Sequence, residues 1–335
     1  MKSPSIVFIV SQPRAGSTLL QTMLAGHADI CAPGETWLML PLVHAISGGR
    51  RKVDTPYDSI LGDDALGEFV QSNLPGGWTD LQREVGMAAS RVYERARIEN
   101  DAKVLVDKTP RYYWIIEDLL SLIPDCRIVV LVRNPLAVLA SIIRTWTKPR
   151  KVGFLKDYRA DLLEAPTRLA GAREIEDPRL MSVRYEDLVA EPESHLLRIQ
   201  EFIEVSPVRG LSQYQANASR LYGDPVGIHQ ATTTQQASRQ RYLEDASASA
   251  TMWRLIDDYR RALGPNLLQR LGYDDGELTK HLCSVRPAGT GLAPPLQQQV
   301  RSRPAEPLRS FIRCRRIVAD AFATGMADTR RRRAA

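Results

Sequence analysis

The fold is decided by one stretch near the amino terminus, SIVFIVSQPRAGSTLL at residues 5–20. Its first part, Ile6 to Val10, is a continuous apolar run, which is typical of a strand buried on both faces of a parallel sheet. From Ser17 to Ala25, leucine and methionine recur at helical spacing and predict a helix. A buried strand, a loop with a glycine and then a helix predict the start of an α/β domain.

The same alternation of strands and helices continues along the chain. Further strands are predicted at Lys103–Val106, Arg127–Val132 and Leu180–Arg184, and helices near Tyr113–Leu122, Pro135–Arg144 and Glu193–Ile203. Two longer, more polar insertions interrupt this order, residues 47–102 and 145–178. Because open α/β sheets bind ligands beyond the carboxyl ends of their strands, we expect both insertions to shape the acceptor site.

Charge is unevenly distributed over the 335 residues, whose formal net charge is +6. Residues 276–335 hold 12 Lys and Arg against 4 Asp and Glu, a net of +8, which leaves residues 1–275 at −2. The basic character therefore belongs to the tail, and the sequence predicts no nucleic-acid partner. Residues 276–335 are predicted to be a basic, partly disordered linker and tail. A weak contact of this tail with an anionic membrane surface is the alternative.

Several other classes of protein are excluded by simple patterns. No apolar run approaches the roughly 18–20 residues of a membrane helix, and the first apolar run is too short for a secretory signal. We therefore expect a cytoplasmic protein. The four cysteines are scattered and form no CxxC pair, which favours neither a disulfide framework nor a zinc site.

The loop between the first strand and helix has the chemistry of a phosphate cradle. Gly16 permits close approach of the backbone, and the start of the helix offers N–H groups to an anion. Ser17 and Thr18 add hydroxyl donors, and Arg14 adds a planar, permanently charged guanidinium. The alternative is an ordinary strand-to-helix turn capped by Ser17 or Thr18.

A second cationic point follows the strand Arg127–Val132. Arg133 stands at the carboxyl end of this strand, and Ser141 lies about two turns into the next helix. The two side chains converge only if that helix folds back over the strand end. Together with the phosphate loop, this pattern predicts a ligand with two separated anionic groups.

A P-loop kinase would begin with a similar loop. It requires a Gly-Lys-Ser/Thr sequence and a strand that ends in a magnesium-binding aspartate. Here Arg14 precedes Gly16 and no Gly-Lys-Ser/Thr occurs. The strand Arg127–Val132, which would have to end in that aspartate, is followed by Arg133. These differences favour direct binding of the anion without a metal.

Three blocks of sequence resemble the PAPS-dependent sulfotransferases, which transfer a sulfuryl group from 3′-phosphoadenylyl sulfate. The nearest branch is that of the tyrosylprotein sulfotransferases and their bacterial relatives. The blocks are Pro13-Arg14-Ala15-Gly16-Ser17-Thr18 with Gly34-Glu35-Thr36, then Asp107-Lys108-Thr109-Pro110 with the chain through Arg133 and Ser141, and Val183-Arg184-Tyr185-Glu186-Asp187-Leu188. Their order and spacing carry the resemblance over residues 5 to about 205.

The resemblance implies a P-loop-like, three-layer α/β fold, with a central, mostly parallel sheet flanked by helices in a sulfotransferase domain at residues 1–275. It implies PAPS as co-substrate and no metal. The implied nucleotide-binding residues are Arg14, Ala15, Gly16, Ser17, Thr18, Arg133, Ser141 and Tyr185, with His229 and Arg241 in a loop that only loosely matches the family. The family's serine is followed four residues later by arginine, where this chain has Thr145 after Arg144.

Three residues match the family's catalytic positions. The resemblance implies that Glu35 is the general base, that Lys108 stabilises the transition state and that Arg14 stabilises the leaving phosphate. Two of them have an alternative: Glu35 in the first turn of a helix near Thr36, and Lys108 at the surface before a proline turn. Tyr185 is equally compatible with a place in the core.

The predicted reaction is sulfuryl transfer from PAPS to a hydroxyl of a small molecule, a lipid or a glycan. Three alternatives stay open at this point: protein-tyrosine sulfation, a phosphotransferase of the P-loop kinase type and a non-catalytic binding protein. Because the tail is not needed to hold the nucleotide, removal of residues 276–335 is expected to leave PAPS binding intact.

Overall fold

A computed structural model describes residues 4–47, 59–146, 155, 158–213 and 240–288. Five strands form one parallel sheet: β1 (Ile6–Ser11), β2 (Ile30–Gly34), β3 (Val104–Lys108), β4 (Arg127–Val132) and β5 (Leu180–Arg184). The strand order is β2-β3-β1-β4-β5, so that β1 lies at the centre and β2 at an edge. The phosphate-type loop therefore leaves the middle of the sheet.

The connections between strands are mostly helical. The helices are α1 (Ser17–Leu24), α2 (Met39–Ala45), α3 (Ser59–Asn73), α4 (Trp78–Glu99), α5 (Ile116–Leu122), α6 (Pro135–Trp146), α7 (Ala165–Arg173), α8 (Tyr185–Ala190), α9 (Pro192–Phe202), α10 (Arg241–Ser247), α11 (Ala250–Arg270) and α12 (Asp275–Ser284). A 3₁₀ helix at Pro110–Trp114 follows β3, and a π-helical turn at Ala160–Glu164 precedes α7. No helix within the described ranges is long and apolar enough to cross a membrane.

The sheet separates two hydrophobic cores. On one face, Phe8 of β1 packs in a core with residues of α2, α4, α5, α6, α7 and α11. On the other face, Val7 and Ile9 pack with residues of α1, α8 and α9. Full burial of each such side chain contributes roughly 1.5–3 kcal/mol. The three-layer α/β fold with a parallel sheet is confirmed.

The structure differs from the prediction at two strands, β2 and β3. β4 and β5 have the predicted bounds, but β3 extends to Lys108, past the predicted end at Val106. The segment Ala32-Pro33-Gly34, for which no strand was predicted, belongs to the edge strand β2. An edge strand tolerates Pro33 because the missing N–H faces away from the ladder.

The carboxyl-terminal part of the described chain is helical and packed. α12 crosses the domain boundary that was predicted at residue 275, and Leu278 and Leu282 on it are buried. Asp274 caps this helix by accepting from the backbone N–H of Glu277 at 2.7 Å, and Trp253 Nε1 donates to the Leu282 carbonyl at 2.7 Å. Removal of residues 276–335 would therefore take buried side chains out of the core, and a deletion that leaves the core intact must keep α12. Residues 289–335 of the predicted tail lie outside the described residues.

Candidate active site

The loop between β1 and α1 has a backbone shape that favours glycine. Arg14 and Gly16 both have positive φ, 71° and 99°. A Cβ on Gly16 would lie 2.4 Å from Cδ2 of Tyr185, so only a hydrogen fits between the loop and this ring. Gly16 itself is the N-cap of α1, and no side chain caps the helix. The alternative of a turn capped by Ser17 or Thr18 is therefore wrong, and the first N–H groups of α1 remain available to a ligand.

The predicted nucleotide residues converge on the backbone of this loop. Arg14 Nε donates to the hydroxyl of Ser141 at 3.3 Å, and Arg133 Nη1 donates to the Arg14 carbonyl at 3.0 Å. The Arg133 guanidinium lies 4.2 Å from the centre of the Tyr185 ring. The structure thus brings together two arginines and a serine from three elements, and it packs Tyr185 between the loop and Arg133. Ala15 is fully buried beneath them.

The second half of the site is an ion pair at the ends of β2 and β3. Lys108 Nζ donates to Glu35 Oε1 at 2.7 Å and to the Thr18 hydroxyl at 3.3 Å. Glu35 Oε2 accepts from the Trp37 indole N–H at 3.0 Å. Lys108 is only 1% exposed, so the alternative of a surface lysine is wrong. The buried ammonium of Lys108 thus joins the loop at Thr18 to the carboxylate that follows β2.

Glu35 does not lie in a helix. α2 begins at Met39, four residues later, and Glu35 follows the last residue of the edge strand β2. The alternative that places Glu35 in the first turn of a helix near Thr36 is wrong. Its carboxylate position is therefore set by specific contacts and not by a helix dipole.

A carboxylate at the end of β3 points away from the loop. Asp107 shares its face of the sheet with Leu105, and Lys108 projects on the opposite face, where α1 lies. The Asp107 carboxylate accepts hydrogen bonds from the hydroxyls of Tyr93 and Tyr112 at 2.7 and 2.9 Å. Burial raises the pKa of both tyrosines, that of Tyr112 to about 12. Asp107 is thus not placed as a magnesium ligand at the loop, and no group of three metal-binding side chains occurs within the described ranges.

Comparison with known proteins identifies the family. The profile described as "Sulfotransferase family" matches residues 4–209. The chain belongs to this sulfotransferase family. The match covers the loop, both halves of the ion pair, Arg133, Ser141 and Tyr185, and it ends before Arg241.

Three relatives illustrate how far the similarity extends. Nodulation protein NoeE of Sinorhizobium fredii is 36% identical over 44% of this chain and 33% of its own length. Carbohydrate sulfotransferase 1 of Danio rerio is 30% identical over 47% of this chain and 41% of its own length. The sulfotransferase domain from the curacin biosynthetic pathway covers 82% of this chain and 99% of that domain, with 23% identity and a TM-score of 0.48. The chain thus spans less than half the length of the first two relatives.

A second ion pair joins the sulfotransferase site to the insertion at 145–178. Asp161 in this insertion accepts two hydrogen bonds from Arg111, Nε at 3.0 Å and Nη2 at 2.7 Å. The Arg111 guanidinium lies 5.7 Å from the ring centre of Trp37, which is 38% exposed. The carbonyl of Asp161 also accepts from Gln12 Nε2 at 2.8 Å. Sequence reasoning missed Asp161, Arg111 and Trp37, although a Trp two positions after Glu35 is a recognisable feature.

The late nucleotide residues are placed only in part. Arg241 is the first residue of α10 and is exposed, and no described contact joins it to the loop. Its helix is held against α6 by an ion pair between Asp245 and Arg144, the arginine that stands one position before Thr145. His229 lies outside the described residues. The predicted roles of both residues stay predictions.

Proposed function

We propose that this chain transfers a sulfuryl group from PAPS to a hydroxyl group. Its family membership supports this, since PAPS is the donor that sulfotransferases generally use. The observation that carries the proposal is the contact of Lys108 with both Glu35 and Thr18, because it places a carboxylate and a buried cation at the phosphate-type loop.

The residues of the loop fit a nucleotide with two anionic groups. Gly16 lets the Tyr185 ring pack directly against the loop, and the uncapped start of α1 presents backbone N–H groups at the same place. Arg14, Arg133 and Lys108 supply three positive charges from three elements. We assign the 5′-phosphosulfate to residues 14–18 with Lys108, and the 3′-phosphate to Arg133 and Ser141.

The reaction needs little covalent help from the protein. PAPS supplies the sulfuryl group, whose bond to the phosphate oxygen breaks as a bond to the acceptor oxygen forms. Glu35 accepts the proton of the acceptor hydroxyl, a contribution of roughly 10²–10⁴-fold in rate. Arg14 and Lys108 stabilise the charge left on the phosphate, and removal of one such donor raises the barrier by about 3–4 kcal/mol.

The acceptor is proposed to be a small molecule, a lipid or a glycan. Trp37 supports this, because an exposed indole beside Glu35 offers an apolar face to a ring or chain next to the reacting hydroxyl. The insertion at 145–178 contributes Asp161, which fixes Arg111 over this indole. Its Tyr158 stacks on Trp146 with ring centres 5.1 Å apart. The name of the carbohydrate sulfotransferase relative agrees with a glycan hydroxyl.

Activity with labelled PAPS tests the proposal. The full chain is incubated with phenols, sugars, hydroxylated lipids and tyrosine peptides, and the labelled product identifies the acceptor class. Glu35→Gln is expected to lower kcat by roughly 10²–10⁴-fold. Lys103→Ala is the matched control, since this exposed lysine lies just before β3 and pairs with Asp29 away from the loop. Wild-type activity in Glu35→Gln would show that the site is assigned wrongly.

Thermal stabilisation by ligands separates this proposal from a kinase. The nucleotide product 3′,5′-adenosine bisphosphate is expected to raise Tm without added metal, because its two phosphates match the two anion positions. Stabilisation by ATP with magnesium, and none by the bisphosphate, would contradict sulfuryl transfer. A labelled tyrosine peptide, with no labelled sugar or lipid, would instead establish protein-tyrosine sulfation.

The remaining expectations concern the setting of the enzyme. We propose that it acts in the cytoplasm, without a metal and without a nucleic-acid partner. The basic residues of the predicted tail at 276–335 are proposed to make a weak contact with anionic membrane surfaces.

A further inference from the structure

Asp107 is a buried carboxylate that the proposed reaction does not use. It has no exposed surface and accepts five hydrogen bonds. Oδ2 accepts from the hydroxyls of Tyr93 at 2.7 Å, Tyr112 at 2.9 Å and Thr36 at 2.5 Å. Oδ1 accepts from the Thr109 hydroxyl at 2.8 Å and the Thr36 backbone N–H at 3.4 Å. A buried carboxylate is unfavourable unless it is hydrogen-bonded to this extent.

Three of these hydroxyls hold the backbone that follows Glu35. The Thr109 oxygen accepts the N–H of Trp37 at 3.3 Å, and the Thr36 oxygen accepts that of Leu38 at 3.2 Å. The Tyr112 oxygen likewise accepts the N–H of the next residue, Met39, at 3.0 Å. Asp107 accepts from all three hydroxyls, so each hydroxyl directs its proton to the carboxyl group and its lone pairs towards one of three consecutive N–H groups.

The regular pairing of β2 with β3 does not extend to the segment held in this way. The pairing of β2 with β3 is irregular between Cys31 and Gly34, and its last pair joins Gly34 to Asp107. Beyond this pair Trp37 has a positive φ of 56°. A non-glycine residue in that region carries about 1–3 kcal/mol of strain, which the surrounding contacts must offset. The hydroxyls that donate to Asp107 therefore bind the backbone N–H groups beyond the last pair of β2 and β3.

We propose that Asp107 is a positioning residue for sulfuryl transfer, which sets the distance between Glu35 and Lys108. Thr36 follows Glu35 in sequence and Thr109 follows Lys108, so one carboxylate is bonded to the neighbour of each partner. Asp107 lies on the opposite face of the sheet and acts only through these neighbours. The proposal rests on the proposed function, because it assigns the geometry of that reaction's base and cation.

Steady-state kinetics of Asp107→Asn in the full chain tests this role. The amide nitrogen donates where a carboxylate oxygen accepted, so at least one hydroxyl loses the acceptor for its proton and must reorient. We expect kcat to fall about 10–100-fold. We expect KM for PAPS and the Kd for 3′,5′-adenosine bisphosphate to stay within about twofold of wild type, because the loop at 14–18 lies on the other face.

Tyr93→Phe is the matched control. It removes a hydroxyl that donates to Asp107 but accepts no backbone N–H from the segment, so it lowers Tm while kcat stays within about threefold. Should Asp107→Asn not fold, Thr109→Val keeps the carboxylate and removes one link, and its kcat is expected to fall about 3–10-fold at unchanged KM.

The outcomes distinguish the two proposals. An active wild type whose Asp107→Asn or Thr109→Val variant retains full kcat overturns the positioning role and leaves the proposed function intact. A loss of kcat no larger than in Tyr93→Phe, in step with Tm, also overturns it. A wild-type chain that labels no acceptor overturns the proposed function itself.

Discussion

Replacement of Gly16 by alanine tests whether the loop between β1 and α1 is built around a missing side chain. Gly16 has a φ of 99°, and an added Cβ would lie 2.4 and 2.5 Å from two carbons of the Tyr185 ring. Favourable carbon contacts lie at about 3.5–4.0 Å, so the ring or the loop must move by roughly 1 Å. The ring is 6% exposed and is covered by the Arg133 guanidinium, which leaves it little room to move.

The expected effect of Gly16→Ala is the sum of two separate contributions. An L-residue at positive φ costs roughly 1–2 kcal/mol. Overpacking against Tyr185 adds about 1–3 kcal/mol. The free energy of unfolding should therefore fall by about 2–5 kcal/mol. Because a displaced Tyr185 also displaces Arg133, we expect the affinity for 3′,5′-adenosine bisphosphate to fall at least about tenfold.

Calorimetry measures both quantities in the same variant. Gly171→Ala is the control, since a Cβ there meets nothing within 4 Å and Gly171 lies inside α7. Alanine is favoured over glycine in a helix by roughly 0.5–1 kcal/mol, so this variant should be slightly more stable and bind the nucleotide normally. A Gly16→Ala variant with wild-type Tm and wild-type affinity would refute the account of the loop.

Two further predictions concern the body of the domain. In Gly86→Ala the added Cβ would lie 2.2 Å from the Leu122 carbonyl oxygen, so unfolding in urea should show a loss of about 1–3 kcal/mol while nucleotide affinity is unchanged. A loss of nucleotide affinity in Gly86→Ala would contradict the expectation that this change affects stability alone. Burial raises the pKa of the Cys126 thiol to about 12, so at pH 8 a disulfide reagent should modify the exposed Cys283 and spare Cys126 until the chain unfolds. Peptide mass spectrometry decides this, and rapid native labelling of Cys126 would contradict it.

The strands that pack on both faces were predictable because burial on both faces requires a continuous apolar run, which is visible in the sequence. β1 and β4 are apolar except for one terminal residue each, Ser11 and Arg127, and the apolar runs give their bounds to within one residue. β2 was missed because Ala32, Pro33 and Gly34 lack β-branched character and pair on one side only. Its strand conformation is imposed by β3, a neighbour about 70 residues away in sequence, so no local pattern reports it.

The helix α12 was missed although its beginning is marked in the sequence. Asp274 followed three residues later by Glu277 is a capping pattern, and Leu278 and Leu282 stand four apart on one face. This helix lies at the start of residues 276–335, whose high net charge is typical of a disordered tail, so composition and periodicity predict opposite structures here.

The site residues matched to the family lie together, but the contacts that fix them were not predictable. Lys108 and Glu35 were chosen because of a resemblance, and neither position implies the 2.7 Å ion pair between them. The hydroxyls around Asp107 come from α4, the 3₁₀ helix and the segment after β2. Only the tertiary structure brings these elements together.

The alternation of side chains along β3 nevertheless explains how the adjacent residues Asp107 and Lys108 reach opposite faces of the sheet. Successive side chains of β3 point to opposite faces, so Lys108 reaches the loop while Asp107 enters the core beneath α4. A one-residue slip of β3 would exchange these faces, placing a carboxylate at the anion site and an ammonium among Tyr93 and Tyr112. The pairing of Ile9 with Lys108 therefore fixes the electrostatics on both sides of the sheet. Lys108, the proposed catalytic cation, and Asp107, the proposed positioning carboxylate, therefore depend on the same strand register.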